Sequence, residues 1–348
     1  MIKKYYSRVK HLYYSYFIFF LKYFSLKKLV NLLKNSCEFF TKRVYLKSVP
    51  PIVHIDVCNS CILHCPLCAT GKNDKSQTKA IIRFEDFKPI FDKIKDYTFF
   101  VWLYNWGEPF LCSDIFKIIN YCHENNVGVK IDSNLNYYND DILRNIVKSK
   151  IDYISLSIDG FSQENYQFYR KGGSLQKVLE GMVKLIEYKK KAGSKYPILI
   201  WQFLVNNKNK DEVERAESWA KENKIDIFEA RSLSLFTDVD SKFQEKEYKK
   251  FLSDTSVPKE VAMSKNSQMH CRYLWDSFAV NPDKSFCPCP VIYKDKDCFG
   301  FFKKNDARDI KEIVNLEIFI ESRKLFKINN YKPKVYTPCL RCNWYTKL

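Results

Sequence analysis

The chain has 348 residues, 46% of them apolar, which suffices for one large α/β domain with an appendage and excludes global disorder. Its net charge of +18 is unevenly placed: residues 1–50 hold eleven Lys or Arg against the single acid Glu38, so they carry +10 and the rest of the chain only +8. A body so mildly basic does not call for nucleic acid, and no nucleic-acid partner is expected.

Residues 1–50 predict a basic, aromatic, helical segment. Within "HLYYSYFIFFLKYF" the apolar run lasts about ten residues before Lys22, half of the ~20 that a spanning helix needs. A signal peptide fits poorly, because no small-residue cleavage site follows and "SLKKLVNLLK" is amphipathic and basic. Two readings stand side by side. Residues 1–35 could lie in the interface of an anionic membrane, or form a helix that packs across the body and shows its lysines to water. Without an export signal the chain is expected in the cytoplasm, membrane-peripheral on the first reading. Structural disulfides are rare there, so its 13 cysteines read as metal ligands, catalytic thiols or buried small hydrophobes. Cys37, Cys112 and Cys122 stand alone and are assigned to packing.

Over residues 51–235 two kinds of segment alternate. The strand-like runs are "IVHIDV", "FFVWLYNW", "VGVKIDS", "YISLSID", "ILIWQFLV" and "IDIFEARSL". Between them, "SDIFKIINYCHENN", "NDDILRNIVKS", "SLQKVLEGMVKLIEYKKKAG" and "KDEVERAESWAKEN" repeat apolar residues at three- and four-residue spacing, as helices do. Six βα units predict a parallel sheet, either a partial barrel or an open doubly wound sheet, with chemistry at the carboxyl ends of the strands. Residues 236–270 read as a polar linker with a helix. From 271 to 348 six cysteines and frequent prolines predict a small metal-stapled domain rather than more sheet.

The densest cysteine cluster is "CNSCILHCPLC", residues 58–68, directly after the first strand. Cys58/Cys61 and Cys65/Cys68 could form two Cys-x2-Cys pairs around zinc, although the link between them is short for a knuckle. Three sulfurs, Cys61-x3-Cys65-x2-Cys68, could instead hold a four-iron cluster with one iron left open for catalysis.

"CILHCPLC" resembles the CxxxCxxC signature of the radical S-adenosylmethionine (SAM) enzymes, and further motifs follow in order. "YNWGEP" is similar to their Gly-Glu-Pro motif, at Gly107, Glu108 and Pro109. "DSN" ends the third strand with Ser133 and Asn134, "LSIDG" the fourth with Ser157, Asp159 and Gly160, and "YQFYRKGGSLQKVLEGM" resembles the helix lead-in that carries Arg170. The resemblance covers roughly residues 50–235. It implies a partial (β/α)6 TIM-type barrel, a [4Fe-4S] cluster on Cys61, Cys65 and Cys68, and Cys58 as a bystander. It also implies that SAM chelates the open iron and is cleaved reductively to a 5′-deoxyadenosyl radical, which abstracts hydrogen from the substrate. An external electron donor such as flavodoxin or ferredoxin is implied with it. Around the cofactor, the turn Gly107–Pro109 would bring carbonyls to the SAM amino group, and Arg170 would pair with its carboxylate. Ser157 and Asp159 would meet the ribose, with Ser133 and Asn134 as second choices.

The tail resembles the SPASM/twitch extensions of this family. Cys271, Cys289, Cys339 and Cys342 would hold one auxiliary [4Fe-4S] cluster, with Cys287 as the rival of Cys289 and Cys298 left over. The turn Asp283-Lys284 departs from the Asp-Gly expected there, and a structural zinc ribbon on the same four sulfurs is the competing reading. For the reaction, the expectation is an oxidoreductase-like enzyme that oxidises or remodels a carbohydrate or other small metabolite, such as an envelope glycan precursor. Maturation of a ribosomal peptide is the alternative, and a non-catalytic iron–sulfur protein the third.

Overall fold

The computed structural model describes residues 19–232, 251 and 271–342; of the predicted linker only Phe251 falls within them. Six parallel strands follow the predicted runs: β1 (Ile52–Ile55), β2 (Phe100–Trp102), β3 (Gly128–Ser133), β4 (Tyr153–Ser157), β5 (Ile198–Val205) and β6 (Ile227–Ser232). They lie side by side in chain order, with registers such as Val53 opposite Val101 and Ile154 opposite Leu199. The sheet is that of the expected partial barrel.

Strand alternation decides what each face does. Val53, Ile55, Val101, Val129, Ile131, Ile154, Leu156, Leu199, Trp201 and Phe203 are fully buried in the main core. Ile118, Ile119 and Cys122 of helix Ile115–Glu124 join that core, as do Leu143 and Ile146 of helix Asp140–Lys148 and Val178 and Met182 of helix Leu175–Lys191. The alternate positions, among them Trp102, Lys130, Asp132, Gln202 and Arg231, line an inner cavity of 480 Å³. Helix starts are capped as the sequence suggests: the side chains of Asn139, Ser162 and Ser174 accept from Ile142, Asn165 and Lys177 N–H respectively.

Two expectations need correction. The tail does continue the sheet: β7 (Ala279–Val280) pairs in parallel with β1, and β8 (Ser285–Cys287) and β9 (Gly300–Phe301) follow antiparallel, giving a nine-stranded order β6-β5-β4-β3-β2-β1-β7-β8-β9. Strands of two or three residues are too short to show a period, so the breaker-rich sequence hid them. At the β7–β8 turn Lys284 takes φ +71, the left-handed conformation that Gly would adopt more easily. The second correction is Cys37, which is exposed; Cys112 and Cys122 are buried in the core.

The N-terminal helices α1 (Phe19–Lys22) and α2 (Leu26–Phe40) close the amino-terminal end of the barrel. Tyr23 Oη donates to the Asp152 carboxylate (2.7 Å), just ahead of β4. Asn31 exchanges two hydrogen bonds with the Val49 backbone, ahead of β1. Residues 1–18 lie outside the described residues.

Candidate iron–sulfur active site

Residues 56–83 leave β1 and wrap over the carboxyl ends of the strands with no helix or strand. Cys58 sits at the root of this loop, fully buried in the main core with Cys112. Burial pushes its thiol up to about 12. Cys61, Cys65 and Cys68 share a different surrounding: Leu63, Leu67, Phe168, Tyr169, Leu204 and Phe251 form an apolar shell around them. Donors point at their sulfurs. Asn134 Nδ2 and Leu63 N each stand 3.4 Å from Cys61 Sγ, and Arg170 Nη1 is 3.9 Å from Cys65 Sγ. Burial raises Cys61 to about 11 and Cys65 to about 12, the Arg170 charge opposing it in both. A bound metal would supply the charge that favours their ionised form. A set of three thiols in a largely apolar shell, with N–H donors aimed at the sulfurs of Cys61 and Cys65, suits an iron–sulfur cluster. Among the described residues no three His, Cys, Asp or Glu side chains converge as a single-ion site would require. A four-iron cluster does not require such convergence, because each sulfur binds its own iron.

The Gly-Glu-Pro turn is wedged against this loop. A Cβ on Gly107 would stand 1.9 Å from the Cys58 carbonyl oxygen and 2.7 Å from that of Ser60. Glu108 N donates to Ser60 O at 2.9 Å. The Glu108 side chain turns inward and is fully buried: it accepts from Ser133 Oγ (2.8 Å) and Asn134 N (2.9 Å), tying the β2 loop to the end of β3. Burial pushes it up to about 7 against those donors. Pro109 is buried at the head of a short 3₁₀ turn, Pro109–Leu111. Of this motif, then, the glycine backbone faces the cysteine loop, while Glu108 and Pro109 brace it from behind.

Arg170 ends helix Gln163–Tyr169, and its Nε donates to Asp159 Oδ2 at 2.5 Å. Asp159 Oδ1 accepts from Leu204 N at 2.7 Å, so both oxygens of this buried carboxylate are engaged. Asp159 thereby orients the guanidinium beside Cys65, a different part from the ribose contact expected of it. Ser157 lies half-buried at the end of β4, opposite Gln202. Asn134, through Cys61, is the strand-end polar residue in direct contact with the cysteine loop.

Sequence reasoning missed three braces. Asp56 accepts from Cys58 N (3.4 Å) and Trp106 N (3.0 Å), and burial raises it to about 7. Asn136 links Asn134 O, Tyr166 Oη and Ser174 N. Asn209 Nδ2 donates to Asp159 O (3.0 Å). Asp56 follows β1 directly, where an acid at the end of a mainly apolar run was a signal; Asn136 and Asn209 lie in polar loops and gave none.

In the tail, Cys271 is buried with Cys339 beside Leu274, Trp275 and Phe326. Cys289, Cys339 and Cys342 lie close enough to raise the Cys271 thiol further, beyond the effect of burial. Cys287 is turned elsewhere: its sulfur is 2.7 Å from Cys298 Sγ, and Asn281 Nδ2 reaches both. The geometry therefore groups Cys271, Cys289, Cys339 and Cys342 and pairs the two cysteines left over.

A partial parallel barrel with three thiols, a Gly-Glu-Pro turn and an aspartate-held arginine at its strand ends has the build of a radical SAM domain. Residues 55–220 match the family model of the Radical SAM superfamily, and that is the domain the barrel forms. Enzymes of this family use a [4Fe-4S] cluster and SAM. Fe-coproporphyrin III synthase of Methanosarcina barkeri is 23% identical over 155 residues, 44% of this chain and 38% of that protein. 7,8-Dihydro-6-hydroxymethylpterin dimethyltransferase of Methanocaldococcus jannaschii is 29% identical over 192 residues, 52% of this chain and 35% of that protein. The chain thus spans little more than a third of the length of these curated relatives. Streptococcus suis SuiB, solved with its precursor peptide SuiA, superposes with a TM-score of 0.61 at 14% identity, covering 91% of this chain and 74% of SuiB. That likeness is one of fold.

Proposed function

We propose that the chain is a radical SAM enzyme acting on a small polar metabolite, carbohydrate-like in its chemistry, held inside the barrel. The cavity carries this reading. Its 480 Å³ falls in the range of small-molecule sites. Trp102 and Tyr104 stack at 5.9 Å on one wall, offering flat apolar surface. Lys130, Asp132, Gln202 and Arg231 supply donors and acceptors around it. Lys130 pairs with Asp132 at 3.4 Å, and Arg231 with Glu229 at 2.5 Å. Aromatic faces beside charge-assisted donors suit a ring that has hydroxyl or amino groups on its edge and C–H bonds on its face.

Cys61, Cys65 and Cys68 hold the cluster in this reading, and Arg170, fixed by Asp159, takes the SAM carboxylate. Gly107 admits its amino group, and Ser157, Ser133 and Asn134 serve its polar edge. Cluster and SAM together supply a strong hydrogen-abstracting agent, generated by one electron from an external donor protein. The chain's own part is to orient both ligands, exclude water with the Leu63–Phe251 shell, and place a substrate C–H bond at the strand ends. Cys271, Cys289, Cys339 and Cys342 hold the auxiliary cluster, which would accept the electron that a net oxidation releases.

The test is anaerobic turnover with deuterated candidates, following label into 5′-deoxyadenosine. Transfer from a sugar or similar metabolite is expected. Asp132→Asn and Arg231→Met should lower that transfer while leaving substrate-free SAM cleavage unchanged. Label arriving from a peptide and from no small metabolite would replace this reading with peptide maturation.

A further inference from the structure

Helix α2 is inside out. Its buried stripe is Lys28, Asn31, Asn35 and Glu38, whereas Leu26, Val30, Leu33 and Phe40 point outward. The inward residues must be polar because each serves the backbone beneath. Lys28 donates to Asn126 O, Asn31 bonds Val49, and Asn35 Nδ2 donates to Trp275 O (2.7 Å). Glu38 accepts from Lys47 N, Ser48 N and Ser48 Oγ. With the polar stripe so employed, Leu32 and Phe39 pack against the body from its edge, and the apolar stripe beyond them faces out: Leu26 is 70% exposed, Leu33 61% and Phe40 80%. Seven of the 13 exposed large apolar side chains among the described residues, Leu21, Phe24 and Tyr45 included, fall in this one segment. Scattered exposed leucines are ordinary, whereas a continuous patch marks an interaction surface.

Charge tells which partner fits. Beside the apolar stripe lies a 340 Å³ cleft with Lys27, Lys34, Lys47 and Lys311 around a floor of Leu26, Val30 and Tyr97. No carboxylate lines it, although Asp96 pairs with Lys27 at 2.6 Å. Glu38, the sole acid of residues 1–50, is turned inward, and residues 1–18 add Lys3, Lys4, Arg8 and Lys10 without an acid. A second copy of the chain would set lysines against lysines. A surface that is apolar along its centre and cationic at its edge matches a bilayer with anionic headgroups.

We infer that the α2 face docks on an anionic membrane, with Leu26, Val30, Leu33 and Phe40 among the acyl chains and the lysine cleft taking a lipid phosphate. Since α2 spans the amino-terminal end of the barrel, the docked protein turns its cysteine loop away from the bilayer. This inference is independent of the substrate assigned above.

The experiment is flotation of the full-length protein with vesicles of phosphatidylglycerol and phosphatidylcholine, against phosphatidylcholine alone. The protein should float with the anionic vesicles and not the neutral ones, and added salt should release it. Leu26→Glu with Leu33→Glu should end flotation. Lys34→Glu with Lys47→Glu should lower partitioning by about fivefold or more for each lysine. All four positions are on the surface, so SAM cleavage and the melting temperature should hold in both variants. Absence of flotation overturns the inference, as does a Leu26→Glu/Leu33→Glu variant that floats like wild type. A dimer in light scattering that this variant converts to monomer, with no flotation by either, would make the face a self-interface and overturn it too.

Discussion

Gly107→Ala is the sharpest probe of the cofactor end. The added Cβ would lie 1.9 Å from Cys58 O and 2.7 Å from Ser60 O, where ordinary contact begins at 3.4 Å. Both obstacles are main-chain atoms and cannot rotate away. One loop must therefore retreat by about 1.5 Å, the shortfall against Cys58 O. That movement stretches the Glu108 N to Ser60 O bond, worth about 1 kcal/mol net, on top of about 1–3 kcal/mol for overpacking. For catalysis the displacement weighs more, because a misplacement of about 1 Å at a reacting centre can cost 10²-fold. The expected variant loses about 2–4 kcal/mol in stability and makes 5′-deoxyadenosine about 100-fold more slowly, yet keeps the iron of wild type. The assay is anaerobic 5′-deoxyadenosine formation with dithionite, alongside iron content and thermal unfolding. A Gly107→Ala protein that cleaves SAM within about threefold of wild type would refute the argument that this backbone approach positions the cofactor.

Replacing Cys61, Cys65 and Cys68 by Ala should abolish SAM cleavage, whereas Cys58→Ala should retain it and cost only packing; cleavage by the triple variant would sink the ligand assignment. Reconstituted protein should bind about eight irons, falling to about four when Cys339 and Cys342 are removed; tightly bound zinc in elemental analysis would make the tail a structural module. Burial raises Asp56 and Glu108 to about 7, above the unfolded carboxylate range of about 4. Their contribution to stability is thus full below about pH 4 and lost as pH rises through about 7. Denaturant midpoints measured from pH 5 to pH 8 should fall more steeply for wild type than for Glu108→Gln, and equal slopes would refute it.

The sequence made the barrel legible because its strands lie in extended apolar runs, even where the strand is short as in β2, and its helices are long enough to repeat. It also carried the strand-end motifs, since these depend on local spacing: Cys61-x3-Cys65-x2-Cys68 and the Gly107 turn are readable without a fold. What stayed hidden is long-range. Nothing local says that Asp159 spends both oxygens on Arg170 and Leu204 N, because the second partner lies on another strand. The amphipathicity of α2 was plain, but its orientation was not. A helix normally buries its apolar stripe, and only the positions of Val49, Asn126 and Ser48 beneath it reverse that rule. The strands β7 to β9 escaped because they are short and lie among prolines and cysteines, with no long apolar run to mark them.

Those short strands matter for how the two cysteine groups work together. β1 leads directly into the loop of Cys61, Cys65 and Cys68, and β7 lies against it through His54 N to Phe278 O (2.9 Å) and Asp56 N to Val280 O (2.8 Å). β7 also follows Cys271 by a few residues, and its turn into β8 leads to Cys289. The tail is pinned a second time where the Asp295 carboxylate accepts from Thr78 N (2.9 Å), in the segment that follows the cysteine loop. Arg323, 1% exposed, pins it a third time by donating to the Leu274 and Val44 carbonyls at 2.9 and 2.8 Å. Backbone ladders and buried charge-assisted bonds open rarely compared with an exposed linker. The loop of Cys61, Cys65 and Cys68 and the segments of Cys271 and Cys289 are therefore anchored to neighbouring strands of one sheet, which fixes the separation of the two cysteine groups.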